Sequence, residues 1–261
     1  MLSNIQAFIL GIIQGLTEFL PISSTGHLFL GRHLFGLDEA GLFLDTMLHV
    51  GTLLAVLVVY KEDLIHIIRN PFGKLTKIMF IGTIPAVFAG FLFKDFFDSI
   101  SKSGSTIGWE FLATGCILWW AESAKRHGHK KLEEIRYSDA LVIGTFQAAA
   151  IFPALSRSGL TIAAGLLRKL DRETAAYFSF LLSIPAILGG IILQGKDLFT
   201  GQAENISFMS LLIGTIASAL FGYFAIVGMI NFLKKKSLKI FAYYVWFLGL
   251  GIITLQTIGI F

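Results

Sequence analysis

Six long apolar segments constrain this chain more than any other feature of its sequence. A helix that crosses a bilayer needs roughly 20 apolar residues, and only 15% of the 261 residues are charged. An average soluble domain carries about 25% charged residues. The sequence therefore predicts an all-α integral membrane protein with six transmembrane helices, at Gly41–Tyr60, Lys77–Phe93, Gly108–Ala121 (a short one), Thr174–Leu193, Ser207–Leu233 and Ile240–Ile260.

Two further apolar regions, Leu2–Leu34 and Ala140–Leu167, are each interrupted by a cluster of Pro, Ser and Gly. The clusters are PISSTG at Pro21–Gly26 and PALSRSG at Pro153–Gly159. Proline removes a backbone donor and clashes with the preceding turn, so a helix ends there. Irregular backbone at membrane depth is tolerated only where protein or a wet cavity satisfies its polar groups. We therefore predict two re-entrant helix–loop–helix hairpins.

The charges of the loops predict the orientation, because cytoplasmic loops carry an excess of Lys and Arg. The connections near 94–107 and 195–206 have fewer cations, balanced by acidic residues, and are placed outside. The six crossings then alternate correctly only if region 140–167 re-enters from the cytoplasm and the first hairpin from outside. The basic segments, placed in the cytoplasm, are 61–77, 122–138, 168–172 and 234–239.

The two halves of the chain resemble one another around the breaks. Gln14 with Pro21–Ser24 is similar to Gln147 with Pro153–Ser156, and a second likeness joins Ile84–Ala86 to Ile184–Ala186. Hairpins that enter from opposite faces form an inverted-topology repeat, which places polar sites near the midplane. The sequence thus predicts a single membrane domain, 1–261, with repeat halves at about 1–121 and 139–233 and a last helix at 240–260.

Ionisable residues inside apolar segments are energetically costly, so each one is a functional hypothesis. Glu18 lies four residues after Gln14, on the same helical face, immediately before the break at Pro21. A carboxylate that pairs with a cation for purely structural reasons is the alternative reading. Asp45 and His49, four residues apart on the next segment, are interpreted as a pair at the membrane surface, with support of the site as the alternative.

The first break places hydroxyls and an imidazole beside Glu18. Ser23, Ser24 or Thr25 can cap the following helix, and the free N–H groups at a helix start also bind anions. Ser23 and Thr25 are therefore predicted to bind the substrate phosphate. His27 lies within one turn of Ser24, where it could accept the hydroxyl proton. Ser24 with His27 as base is the first hypothesis, and His27 itself or an activated water as nucleophile are the alternatives.

The second break contains a cation surrounded by apolar sequence. Arg157 is flanked by Ser156 and Ser158 and followed by Thr161. A guanidinium group binds two phosphate oxygens at once, and the hydroxyls and helix-start amides would complete a phosphate-binding site. A salt bridge between Arg157 and Glu18 is the structural alternative, which a substrate could open.

QGLTEFLPISSTGH at Gln14–His27 and PALSRSGLT at Pro153–Thr161 resemble the two signature motifs of the undecaprenyl-diphosphate phosphatases of the BacA type, a family linked to bacitracin resistance. The similarity runs along nearly the whole chain. It implies hydrolysis of undecaprenyl diphosphate to undecaprenyl phosphate and inorganic phosphate, which recycles the lipid carrier for peptidoglycan synthesis. It also implies a multi-pass protein of the bacterial inner membrane whose active site faces the periplasm. By position, the family's site residues fall on Gln14, Glu18, Ser23, Ser24, His27, Ser156, Arg157, Ser158 and Thr161.

The resemblance also bears on cofactors and partners. Glu18, aided by Gln14, is expected to hold a divalent cation, Mg²⁺ or else Ca²⁺, together with substrate phosphates. The family often has Glu where this chain has Gln14, so a site with two carboxylates is not expected. The expected partners are a polyprenyl diphosphate and membrane lipids, with no nucleic acid, and a homodimer is left open.

Two other functions compete with this reading. A membrane phosphatase of the phosphatidate type needs a catalytic His after its arginine motif, and no His follows His129. A transporter or flippase for a polyprenyl-phosphate headgroup suits broken helices and inverted repeats. It would need Arg157 but no nucleophile beside His27, so phosphate release distinguishes the two.

Overall fold

The computed structural model describes residues 2–37, 42–93, 104–124, 128–199 and 206–259. Within these ranges the chain forms α-helices, one 3₁₀ turn at Leu132–Glu134 and no β-strand. We number the helices α1 (Asn4–Phe19), α2 (Ser24–Leu34), α3 (Leu42–Val59), α4 (Lys61–Arg69), α5 (Lys74–Leu92), α6 (Ile107–Ser123), α7 (Tyr137–Ala149), α8 (Arg157–Leu167), α9 (Arg172–Phe199), α10 (Phe208–Lys235) and α11 (Lys239–Thr257).

Four helices in the described ranges are long and apolar enough to cross a membrane: Lys74–Leu92, Arg172–Leu193, Phe208–Lys235 and Lys239–Thr257. A fifth span results if α3 and α4, bent by 76° from one another, are taken together. α6 has only 17 residues. The all-helical membrane class is thus confirmed, and the number of six crossings stays a prediction. Most of the two connections predicted to lie outside, 94–103 and 200–205, is outside the described residues.

Each broken apolar region forms two helices separated at its Pro/Ser/Gly cluster, as predicted. The first N–H groups of a helix lack partners within it, and a Ser just before the helix can accept one of them. Ser23 caps α2 by accepting from Gly26 N at 3.3 Å, and Ser156 caps α8 by accepting from Gly159 N at 3.0 Å. Both of these helices have 11 residues, too short to cross a bilayer alone.

The hairpin of α7 and α8 returns to the end of the molecule from which it starts. Asp139, in the first turn of α7, accepts hydrogen bonds from Arg168, which directly follows α8, at 2.7 Å and from Lys130 at 2.9 Å. Burial raises the pKa of Asp139, but the Arg136 amide and these two cations outweigh burial and hold it below its ordinary value. The ionised carboxylate therefore holds the two open ends of this hairpin together.

Glycines let the first helix of each hairpin approach a long helix closely. A methyl group on Gly11 of α1 would overlap the carbonyl oxygen of Gly214 of α10, and one on Gly144 of α7 would overlap that of Gly82 of α5. Helices in lipid gain little from the hydrophobic effect and associate through small residues that permit such contact. α1 and α7 are therefore each packed tightly against one apolar helix.

We expect Gly11→Ala to destabilise the protein by about 1–3 kcal/mol, because overpacking forces α1 away from α10. The control is Gly228→Ala on α10, where an added methyl meets no atom within 4 Å. Ala is the better helix former in both variants by about 1 kcal/mol, so their difference isolates the packing. Thermal unfolding in detergent measures it, and equal melting temperatures would show that α1 and α10 do not approach at these glycines.

Candidate active site

The two hairpin breaks lie against one another inside the helix bundle. Ser158 Oγ donates to the carbonyl oxygen of Leu20 at 2.8 Å, which joins the second break to the first. A methyl group on Gly26 would lie 3.3 Å from the Ala154 side chain, so the two breaks also pack closely there. Irregular backbone at membrane depth needs such polar partners from protein. The prediction that the two breaks meet inside the protein is confirmed.

The carboxylate of Glu18 lies where the breaks meet and joins the two motifs. Its Oε1 accepts from Arg157 Nη2 at 2.8 Å. Its Oε2 accepts from Ser24 Oγ at 2.6 Å and from Gln14 Nε2 at 3.0 Å. Glu18 is only 8% exposed, and a buried charge without a partner costs several kcal/mol. The predicted contact between Arg157 and the first hairpin is therefore present. It is the salt bridge to Glu18 that the sequence offered as the alternative to a phosphate-binding role for Arg157.

A cavity of about 360 Å³ adjoins this ion pair and has two different walls. The polar wall is formed by Glu18, Ser23, Ser24, Thr25, His49, Ser156 and Arg157. The apolar wall comes from the second break and from the C-terminal parts of α5 and α9, and includes Gly90, Ile151, Phe152, Ala186, Gly190 and Leu193. This combination suits a ligand with an anionic head and an apolar chain.

Two predicted phosphate-binding residues lie behind the cavity wall. Ser158 is 1% exposed and its hydroxyl is used by Leu20, and Thr161 is fully buried. Thr161 Oγ1 donates to the Arg157 carbonyl oxygen at 2.8 Å and lies 2.6 Å from Ser179 Oγ. The backbone carbonyl of Ser179 in turn accepts from Arg157 Nη1 at 3.3 Å. In this structure Ser158 and Thr161 support the hairpin and Arg157, and their contact with phosphate stays a prediction.

The structure does not bring His27 to Ser24, as the first catalytic hypothesis requires. His27 Nδ1 lies 2.6 Å from the Ser23 carbonyl oxygen, and Nε2 lies 2.8 Å from Tyr244 OH of α11. The hydroxyl of Ser24 is bonded to Glu18 instead. The group in contact with the Ser24 hydroxyl is thus the Glu18 carboxylate and not the predicted base His27.

His49 lines the cavity, which corrects its interpretation as part of a surface pair. His49 Nε2 lies 3.7 Å from Glu18 Oε2, and Nδ1 lies 2.7 Å from the Asp45 carbonyl oxygen. Asp45 itself pairs with Arg32 at 2.5 Å. The sequence contained the necessary signal, because His49 is an ionisable residue within the predicted span Gly41–Tyr60, and the rule that selected Glu18 selects it too.

Comparison with known proteins identifies the family of this chain. The family model described as "Bacitracin resistance protein BacA" matches residues 7–251. The chain belongs to the BacA family. A relative in Bacillus thuringiensis (strain Al Hakam), "Undecaprenyl-diphosphatase 4", is 67% identical and covers 98% of this chain and 99% of its own length. "Undecaprenyl-diphosphatase" of Carboxydothermus hydrogenoformans is 48% identical with both chains fully covered, and that of Halothermothrix orenii is 44% identical over 98% of each.

Glu110 of α6 binds the backbone of the second break and was not among the predicted site residues. Its carboxylate accepts from the Ala154 amide and from Thr106 Oγ1 at 2.5 Å. One turn further along α6, Thr114 Oγ1 accepts from the Ser156 amide at 3.3 Å. Glu110 is 6% exposed and lies within the predicted span Gly108–Ala121, so the cost of an ionisable group in an apolar segment again marked it.

We expect Glu110→Leu to destabilise the protein by about 1–3 kcal/mol, because the buried Ala154 amide then loses its acceptor. Glu110→Gln keeps an acceptor oxygen of the same reach and is expected to retain most of the stability. Thermal unfolding of both variants in detergent tests this. Equal losses in the two variants would show that the charge of Glu110, and not its hydrogen bond to the break, is what matters.

Proposed function

We propose that this chain hydrolyses undecaprenyl diphosphate to undecaprenyl phosphate and inorganic phosphate. The observation that carries the proposal is that Glu18, Ser24 and Arg157, from two distant motifs, line one cavity with a polar and an apolar wall. The names of the relatives, which are 44–67% identical over nearly the full chain, support the same activity. The polar wall would bind the diphosphate and the apolar wall the start of the prenyl chain.

Binding of the diphosphate would use the two helix starts. Ser24 and Arg157 are the first residues of α2 and α8, so both helix N-termini contribute amide dipoles at the cavity. Arg157 would exchange its bond to Glu18 for phosphate oxygens, which a guanidinium binds in pairs. Phosphoryl transfer spreads negative charge over these oxygens, and fixed positive groups stabilise that transition state most.

Ser24 is the nucleophile in this proposal. As its Oγ attacks the terminal phosphorus, the proton passes to Glu18 Oε2, with which it already shares a hydrogen bond of 2.6 Å. The anhydride P–O bond breaks and undecaprenyl phosphate leaves, and water then hydrolyses the phosphoserine to release inorganic phosphate and restore the hydroxyl. Glu18 thereby takes the role of base that the spacing of Ser24 and His27 predicted for His27.

A divalent cation at Gln14 and Glu18 also belongs to this proposal. Among the described residues no group of three or more His, Cys, Asp or Glu side chains is placed to hold a metal ion. Gln14 Oε1 is, however, buried without a partner, on the amide group whose Nε2 donates to Glu18 Oε2. These two side chains fit a weakly bound Mg²⁺ or Ca²⁺ that takes its other ligands from substrate phosphates, whose charge it would neutralise.

The proposal includes an inverted repeat with the cavity open to the periplasm. Gln14, Ser23 and Gly26 recur with the same spacing as Gln147, Ser156 and Gly159, and in both hairpins the Ser caps a helix through the Gly amide. Ser156 therefore corresponds to Ser23, one residue before the Ser24 with which the sequence comparison aligned it. α1 packs on α10 as α7 packs on α5. In this scheme α5 corresponds to α10, so the likeness of Ile84–Ala86 on α5 to Ile184–Ala186 on α9 does not mark equivalent helices.

The direction of the cavity follows from the loop charges. Its apolar wall includes Gly90 and Leu193, near the C-terminal ends of α5 and α9. Those ends precede the two connections, near 94–107 and 195–206, that are predicted to lie outside. We therefore place the cavity at the periplasmic face of the inner membrane. This proposal leaves a homodimer open.

Phosphate release from undecaprenyl diphosphate by the purified protein in detergent tests the activity. We expect Arg157→Lys to lose most of it, because an ammonium group cannot bind two oxygens in the fixed geometry of a guanidinium. The control is Arg168→Lys at the other end of α8, whose Asp139 partner lies away from the cavity. Near-normal turnover of Arg157→Lys would remove Arg157 from the phosphate site, and binding without phosphate release by the unmodified protein would favour transport.

We expect chelation of divalent cations to slow phosphate release, and Gln14→Glu to lower the cation concentration needed for half-maximal activity. A second carboxylate binds Mg²⁺ more strongly than an amide oxygen does. Binding of Mn²⁺, followed by its paramagnetic signal in the absence of substrate, gives a readout that does not depend on activity. Hydrolysis unchanged by chelation would leave Glu18 as base and partner of Arg157 only.

A further inference from the structure

The backbone of Ser23 is strained at the point where it directs Ser24 into the cavity. Its φ of 68° and ψ of 104° lie in a region that residues with a side chain rarely adopt. Strained residues persist only where the surrounding structure holds them, and they are common in active sites. Because Ser23 directly precedes Ser24, its conformation decides whether Ser24 Oγ reaches Glu18 Oε2.

His27 holds the carbonyl group of Ser23. A carbonyl oxygen can only accept, so the contact of 2.6 Å between Ser23 O and His27 Nδ1 places the hydrogen on Nδ1. The backbone amide of His27 donates to the same oxygen at 3.3 Å. His27 is absent from the residues that line the cavity. The imidazole therefore contacts the strained peptide that precedes Ser24 and not the reacting groups.

Tyr244 of α11 orients His27 from the other side. With hydrogen on Nδ1, the neutral ring accepts at Nε2, and the Tyr244 hydroxyl donates to it at 2.8 Å. The two rings are stacked, with centroids 5.7 Å apart and planes inclined by 12°, and the edge of Phe111 closes the pocket around His27. Tyr244 itself borders a separate apolar groove with Leu20 and Ile22, so it does not reach the diphosphate.

We propose that Tyr244 is a positioning residue for Ser24, which it affects through His27 and the carbonyl group of Ser23. The Tyr244 hydroxyl fixes the tautomer and the ring plane of His27, and His27 Nδ1–H then holds Ser23 in its strained conformation. Without that hydroxyl the imidazole can rotate, the Ser23 peptide relaxes and Ser24 Oγ turns away from Glu18. This inference rests on the proposed function, in which Ser24 attacks phosphorus.

The first experiment compares Tyr244→Phe with Tyr243→Phe in phosphate release from undecaprenyl diphosphate. Tyr243 is the neighbouring residue on α11, and its ring contacts Trp119 and Trp246 away from His27. We expect Tyr244→Phe to lower kcat by about ten- to a hundredfold, because small misplacements of a reacting group have effects of this size. KM and the melting temperature should stay near those of Tyr243→Phe, since neither the phosphate-binding groups nor the packing changes.

A double-mutant cycle shows whether Tyr244 acts through His27. In a His27→Gln background, Tyr244→Phe should change kcat by less than about twofold, because the imidazole that it orients is already absent. Multiplicative effects of the two changes would overturn the proposal. An unchanged kcat in Tyr244→Phe would also overturn it. A loss of kcat that accompanies a loss of folding would overturn it too, because Tyr244 would then stabilise the fold only.

A labelling experiment separates failure of this inference from failure of the proposed function, since it requires no turnover. In Ser24→Cys with the exposed Cys116 changed to Ser, Tyr244→Phe should speed alkylation of the new thiol severalfold, and Tyr243→Phe should not. A changed rate without phosphatase activity in the unmodified protein would keep the positioning role and reject the phosphatase. An unchanged rate would reject the positioning role even in an active enzyme.

Discussion

The ion pair between Glu18 and Arg157 is the interaction on which the rest of this structure depends. Glu18 lies in the last turn of α1, and Arg157 is the first residue of α8, so each charge is next to a hairpin break. Either charge would be costly to bury alone. Their contact at 2.8 Å connects residues 139 positions apart and makes the two hairpins a single unit. Around it, Ser158 of the second break donates to the Leu20 carbonyl oxygen at the first break, and a cavity lies on one side.

Those parts of the fold that follow from local chemistry could be predicted from the sequence. The helices stop before Pro21 and Pro153, and Ser23 and Ser156 begin new ones by capping. Helix packing was less readable, because glycines such as Gly11 and Gly144 act only with a partner helix that sequence alone does not identify. The number of crossings stays a prediction, since α6 is short and α3 continues into α4 at a sharp bend.

The same division applies to the site. Glu18 and Arg157 were found because an isolated charge in an apolar segment is a strong signal. The pairing of Ser24 with His27 was inferred from their closeness along the chain. Closeness does not determine where the side chain points when the residue follows a strained turn, as Ser24 does. The partner of His27 is Tyr244, 217 residues away, and no spacing rule identifies it. Glu110 carried the signal that selected Glu18, and the same rule applied to it would have marked it. For His49 the rule favours the alternative reading, support of the site.

In the proposed inverted repeat, the two hairpins are alike in framework and unlike in chemistry, so the repeat would form one reactive centre. Ser23 and Ser156 cap equivalent helices, so Ser24 and Arg157 occupy the same first helical position and face one cavity from opposite hairpins. Four residues after the shared Gln, the first hairpin has Glu18 where the second has Ile151. Two carboxylates there would repel each other and the diphosphate, whereas one carboxylate can both neutralise Arg157 at rest and accept a proton from Ser24. In the proposed function, this framework with a single acidic residue would provide one base, one nucleophile and one phosphate-binding cation.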